Sequence, residues 1–134
     1  MEPLEFLKSK IADFPGYGED DSRRRSDELV RSYLGEAVAG LEERLGPLDA
    51  ALGQRLGDLL LRVGFTNQAA YKIYEDAART KSDYDAMAAA DAFAVEVADR
   101  APSEPAELPA FFNEVGEALD RRDATMSGAV AFAP

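Results

Sequence analysis

The sequence predicts an all-α protein, an antiparallel helical bundle of about five to six helices in a single domain. Apolar residues recur three and four positions apart almost throughout, alanine is abundant, and β-branched residues are sparse. Strand-like alternation is limited to hints at 95–97 and in the last residues. A chain of 134 residues is near the commonest domain size and buries enough surface to fold without disulfides or metal.

The first half of the chain predicts three helices. A short helix over 3–14 is indicated by the spacing of Leu4, Leu7, Ile11 and Phe14, and Pro15 and Gly16 follow it as breakers. A long helix is predicted over 21–45, capped by Asp21 or Ser22 and ended by Gly46. Pro47 suits the first turn of the next helix, predicted over 47–63, which carries a leucine stripe.

The second half predicts helices over 67–81, 82–100 and 106–123, followed by an apolar tail over 124–134. The first two are one helix or two, because Ser82 and Asp85 resemble a capping box. The helix over 82–100 is apolar around much of its circumference, which indicates a central, buried element. Pro102 and Pro105 separate it from the last helix.

Composition removes many function classes. The formal net charge is −11, with 26 acidic and 15 basic residues, which argues against nucleic-acid and anionic-membrane partners. The chain has no histidine and no cysteine, so His- and Cys-dependent nucleophiles and zinc sites are absent. Phosphate-binding glycine motifs are missing as well. An acidic start without a signal-peptide pattern leads us to expect a soluble cytoplasmic protein.

The candidate ligand-binding residues are Tyr17, Arg24, Asp27 and Arg31. The last three share one helical stripe with Gly35, just after the Pro-Gly break. These residues allow two interpretations. In the functional one, the two arginines beside the tyrosine bind an anion between them. In the structural interpretation, which we favour, the same residues are a salt-bridged helix face with a glycine for helix packing.

The spacing of the acidic residues along the sequence does not predict a metal site. Glu42 and Glu43 lack the third acid of a Glu-Glu-x-x-Glu helix, and the run from Glu19 to Asp21 places adjacent acids in a loop, which converge poorly on a cation. We therefore expect neither metal nor cofactor.

Glycines inside the predicted helices need an explanation, because each lowers the stability of a helix by up to ~1 kcal/mol relative to alanine. They stand at 35, 40, 53, 57 and 116. The simplest explanation for these glycines is close helix packing, within the bundle or across a homodimer. The apolar tail also favours a protein partner, because it would prefer to be buried. The sequence thus predicts a non-enzymatic interaction or oligomerisation domain with a protein partner or itself. The alternative is a small-anion or magnesium-dependent binder or enzyme using the Tyr17–Arg24–Arg31 region.

Overall fold

A computed structural model describes residues 1–64 and 81–127, and all regular structure within them is helical. The prediction of an all-α bundle is confirmed. The helices are α1 (Pro3–Lys10), α2 (Asp20–Ala39), α3 (Leu41–Leu45), α4 (Ala50–Gly64), α5 (Lys81–Asp99) and α6 (Leu108–Ser127), with a 3₁₀ turn over Pro105–Glu107 before α6. The predicted helix over 67–81 lies, except for Lys81, outside the described residues. The last helix extends to Ser127, so the first four residues of the tail predicted over 124–134 are helical, and the rest of that tail lies outside the described residues.

Several helices have other bounds than the sequence predicts. The first ends at Lys10 rather than at Phe14, because Ile11 is already extended, with φ −121° and ψ 116°. Asp13 follows in a left-handed conformation with φ 60°, which keeps the chain from resuming a right-handed helix before Phe14. The helix expected over 21–45 is divided at Gly40 into α2 and α3. Gly46, with φ 82°, ends α3.

The last two helices are α5 and α6, which form an antiparallel hairpin. Asp91 of α5 pairs with Arg122 of α6, whereas Arg100, which directly follows α5, pairs with Glu114, which comes earlier in α6. The helices α2 and α5 instead run parallel, since Arg23 meets Tyr84 and Tyr33 meets Asp99. Short alanines on α5 let α1, α2 and α6 approach it closely, as expected of a central helix.

The helix α4 closes the bundle on the side away from α1. It packs on α2, where the Cβ of an alanine in place of Gly35 would lie 3.4 Å from a methyl of Val63. It runs parallel to α6, because Arg55 bonds to Asn113 and Arg62 to Asp120. The largest side chains fully buried in the core are Phe112, Leu7, Leu34, Leu41 and Leu108. None of the described helices combines the length and apolarity needed to cross a membrane.

Candidate functional site: a buried ionic cluster

Arg122 of α6 lies at the centre of a polar cluster inside the bundle. Its Nε donates to Asp91 Oδ1 of α5 at 2.7 Å, and its Nη2 donates to Asp27 Oδ1 of α2 at 2.6 Å. All three side chains are at most 5% exposed. One guanidinium therefore ties together three helices through two charge-assisted hydrogen bonds. We call Tyr17, Asp27, Asp91 and Arg122 the buried ionic cluster.

Arg31 extends the cluster towards the surface. Its Nε donates to the second oxygen of Asp27 at 2.9 Å, in the i,i+4 geometry that the sequence predicts. Its Nη1 donates to the carbonyl oxygen of Gly64, the last residue of α4, at 3.2 Å. Asp27 thus lies between two arginines, and Arg31 connects the cluster to the fourth helix of the bundle.

Tyr17 enters the cluster from the loop between α1 and α2. Its hydroxyl donates to Asp91 Oδ2, so the two carboxylate oxygens of Asp91 are both occupied. Two side chains of α2 hold the loop in place by donating hydrogen bonds to the loop's carbonyl oxygens. Ser26 Oγ donates to Gly16 O at 2.7 Å, and Arg23 Nη1 donates to Tyr17 O at 3.0 Å. Gly16 has φ 84°, a turn conformation that glycine accommodates without strain.

Arg23 is a second buried cation beside this loop and is only 2% exposed. Its guanidinium lies 5.2 Å from the centre of the Tyr84 ring and donates to the Tyr84 hydroxyl at 3.3 Å. It also pairs with Asp20 in the first turn of α2. The loop carrying Tyr17 is therefore held by a cation bound to α5 as well as to α2.

Electrostatics inside the cluster are dominated by burial. Desolvation raises the pKa of Asp91 above its ordinary value, against the opposing effects of Arg122 and the Tyr17 hydroxyl. For Arg122 desolvation acts in the other direction, but the two aspartates outweigh it and raise its pKa. Arg122 is accordingly a permanent cation in the core, and its charge is matched by carboxylates.

The space around the cluster is small. A crevice lined by Met87, Ala90, Asp91, Arg122 and Thr125 reaches it, but this crevice has no room for a water molecule. Within the described part of the chain, acidic side chains do not form a group of three that could hold a metal ion. The arrangement positions helices, and its polar atoms are engaged with one another rather than presented to a ligand.

The structure places the predicted site residues unequally. Tyr17, Asp27 and Arg31 belong to one connected set through Asp91 and Arg122. Arg24 lies partly buried on α2, while its neighbour Arg23 is the arginine that faces the core. Whether any of these four residues binds a ligand stays a prediction.

Sequence reasoning missed Asp91, Arg122 and Arg23, although two of them carried a signal. Asp91 stands alone in the apolar run from Met87 to Val95, where a buried carboxylate needs a partner. Arg122 continues the core stripe of the last helix, three residues after Leu119. A charge at a core position of each of two adjacent helices is the pattern of a buried ion pair.

A different surface lies on the outside of α4. Ala50, Gly53, Gly57, Leu60, Leu61 and Gly64 fall within an arc of roughly 100° around the helix axis and contain no charge. Leu61 is 63% exposed. A Cβ added at Gly53, Gly57 or Gly64 would meet nothing within 4 Å, so among the described residues these glycines are not explained by internal packing. We call these six residues the α4 outer surface.

Comparison of the chain with protein-family models, with curated proteins and with solved structures gives no match.

Proposed function

We propose that this chain is a non-enzymatic interaction module that binds a protein through the α4 outer surface. The observation that carries the proposal is Leu61, a leucine that is 63% exposed at one edge of an uncharged helix face. Surfaces of soluble proteins that group apolar residues without charge are typical of interaction sites.

The charge distribution supports the same proposal. The chain has a net charge of −11, whereas α4 carries two arginines, Arg55 and Arg62, and one acid, Asp58. A helix depleted of acid in an acidic protein is a surface on which a second protein meets little repulsion.

The alternative function, a small-anion or magnesium-dependent site around Tyr17, Arg24 and Arg31, draws less support from the geometry. Arg31 is occupied by Asp27 and by a backbone carbonyl, and the Tyr17 hydroxyl by Asp91. At Arg31 an anion would have to displace the carboxylate of Asp27, which already neutralises the guanidinium. The cluster fits a role in fixing helix positions better than a role in recognition.

Site-specific photocrosslinking in living cells tests the proposal. A photoreactive amino acid at Leu61 should give an adduct, and the adduct should disappear when Gly57→Leu fills the surface. The same probe at Lys8 is the matched control, because Lys8 is exposed on α1, which packs against α5. Equal adducts at both positions, or none at Leu61, would contradict the proposal.

A further inference from the structure

We infer that the segment 128–134 of this chain binds in a groove formed by α1, α5 and α6, which we call the α5 groove. The inference concerns a different region from the α4 outer surface and does not depend on the proposed function. It rests on the lining of the groove, on the place where the chain leaves α6, and on the order of apolar residues in the segment.

The α5 groove has a volume of about 500 Å³ and a mainly apolar lining. The apolar side chains in it include Pro3 and Phe6 of α1 and Ala89, Ala92 and Phe93 of α5. Ala89 is exposed, and Phe6 and Phe93 are only partly buried. Arg121 of α6 also lines the groove, with its guanidinium 4.0 Å from the centre of the Phe93 ring. An open groove with two aromatic rings is a binding surface for apolar side chains.

The chain leaves α6 on the side of the α5 groove. The described part of α6 reaches Ser127, six residues after Arg121 and therefore roughly 9 Å further along the helix axis. Position 128 follows Arg121 by seven residues, which is close to two helical turns, so it falls on the side of α6 that lines the groove. Residue 128 is a glycine, which commonly reverses the chain after a helix. The segment can therefore turn back into the groove.

The spacing of apolar residues in the segment matches the spacing in the groove. In an extended chain Val130 and Phe132 lie on one side, about 6.6 Å apart, and the alanines between and beside them lie on the other. Ala89 and Phe93 are separated by about 6 Å along α5. Because α5 and α6 are antiparallel, a segment that reverses after α6 runs parallel to α5. Val130 then contacts Ala89 while Phe132 contacts Phe93.

The covalent link favours this segment over a separate partner. Phe132 is five residues after Ser127, so an extended chain carries it up to about 16 Å, more than the roughly 9 Å back to the level of Arg121. A ligand tethered within reach of its site has an effective concentration on the order of millimolar. The segment also carries no charged side chain, so the net charge of −11 does not repel it.

Disulfide trapping in the purified full-length chain tests the inference. The chain has no cysteine, so a pair can be introduced without interference. At low-micromolar concentration, Val130→Cys with Ala89→Cys should form an intramolecular disulfide at least ~10-fold faster than Val130→Cys with Asp120→Cys. Asp120 is the matched control, because it is exposed and seven residues before Ser127 but lines the groove between α4 and α6.

Two further substitutions test the apolar contact. In the chain with cysteines at 89 and 130, Phe132→Ala should slow the disulfide to the rate of the Asp120 control, because the segment loses its largest apolar side chain. Ala131→Ser should leave the rate unchanged, since this residue lies on the other side of an extended segment. Intact mass shows whether the disulfide is within one chain, and thermal unfolding followed by circular dichroism shows that each variant is folded.

Three results would overturn the inference. Equal rates at Ala89 and Asp120 would mean that the segment does not prefer the α5 groove. A rate that is unchanged by Phe132→Ala would mean that apolar contact does not hold the segment. A disulfide between two chains, in place of one within a chain, would assign the groove to the segment of a second copy. All three leave the α4 outer surface untouched, so they do not bear on the proposed function.

Discussion

Two aspartates of α5 have the same kinds of partner in opposite surroundings. Asp91 accepts hydrogen bonds from Tyr17 and Arg122 in the core. Asp99, eight residues later, accepts a bond of 2.5 Å from the Tyr33 hydroxyl and pairs with Lys10 at 2.9 Å near the surface. Each site is therefore a carboxylate with one tyrosine and one cation.

The pKa values of the two carboxylates move in opposite directions. At Asp91 desolvation is the largest effect and raises the pKa above the ordinary value. At Asp99 desolvation acts in the same sense, but the bonds from Tyr33 and Lys10 together outweigh it and lower the pKa. The partners alone therefore do not determine the direction in which a carboxylate pKa shifts, because the depth of burial decides whether desolvation or the partners dominate.

Removing the cation should give the largest difference between the two sites. Arg122→Met should destabilise the protein by about 3–5 kcal/mol, because it leaves two buried carboxylates without their shared cation. Lys10→Met should cost less than about 1 kcal/mol, since its pair is partly solvated. Urea unfolding followed by circular dichroism measures both.

A combined variant checks the reason for the Arg122 effect. Removing Asp91 and the Tyr17 hydroxyl together with Arg122, as Asp91→Leu, Tyr17→Phe and Arg122→Met, should recover much of the lost stability, because Asp27 keeps its pair with Arg31. Additive losses would show that the cluster contributes through packing rather than through charge.

Removing a hydroxyl should give a smaller difference in the same direction. Tyr17→Phe should cost about 1.5–3 kcal/mol, because a buried carboxylate oxygen loses its donor. Tyr33→Phe should cost under about 1 kcal/mol, since water can replace the hydroxyl at a partly exposed site. Thermal and urea unfolding of the two variants should rank them in this order, and equal losses would mean that burial does not distinguish the two bonds.

The smallest effect is a titration at the exposed site. Tyr33 should titrate with a pKa of about 12, because its hydrogen bond to Asp99, its burial and the nearby negative charge all favour the neutral phenol. A raised tyrosine pKa contributes stability that is fully present below the unfolded value of 10.0 and is lost as the pH rises through 12. Tyrosinate absorbance, compared between the wild type and Tyr33→Phe, measures this pKa, and a Tyr33 titration near 10 would contradict it.

Much of the fold follows from hydrophobic periodicity, and the departures occur where backbone conformation decides. The apolar circumference of the segment that becomes α5 predicts a central helix, and α5 does pack against α1, α2 and α6. The stripe through Ile11 and Phe14 predicts burial correctly, but both residues are buried in a loop. Periodicity predicts which side chains face the core, but it does not predict the extended Ile11 that ends α1 or the left-handed Asp13 that follows.

The candidate site could be predicted only in its local part. Asp27 and Arg31 are four residues apart on one helix, so their pairing follows from spacing. The contacts of Asp27 with Arg122 and of Tyr17 with Asp91 span 95 and 74 residues, and no local pattern specifies which distant charges meet. Helix phase also limited the prediction, because Arg23 and Arg24 are adjacent and only one faces the core.

The sequence separations within the buried ionic cluster have a consequence for folding kinetics. Its bonds join positions 31, 74 and 95 residues apart, so the cluster closes only after α2, α5 and α6 have come together with the loop before α2. We expect contacts of this kind to form late in folding, because they stabilise the chain only once the long loops between them have closed. Substitutions in the cluster should then act mainly by accelerating unfolding, which makes Arg122 a determinant of the lifetime of the native state.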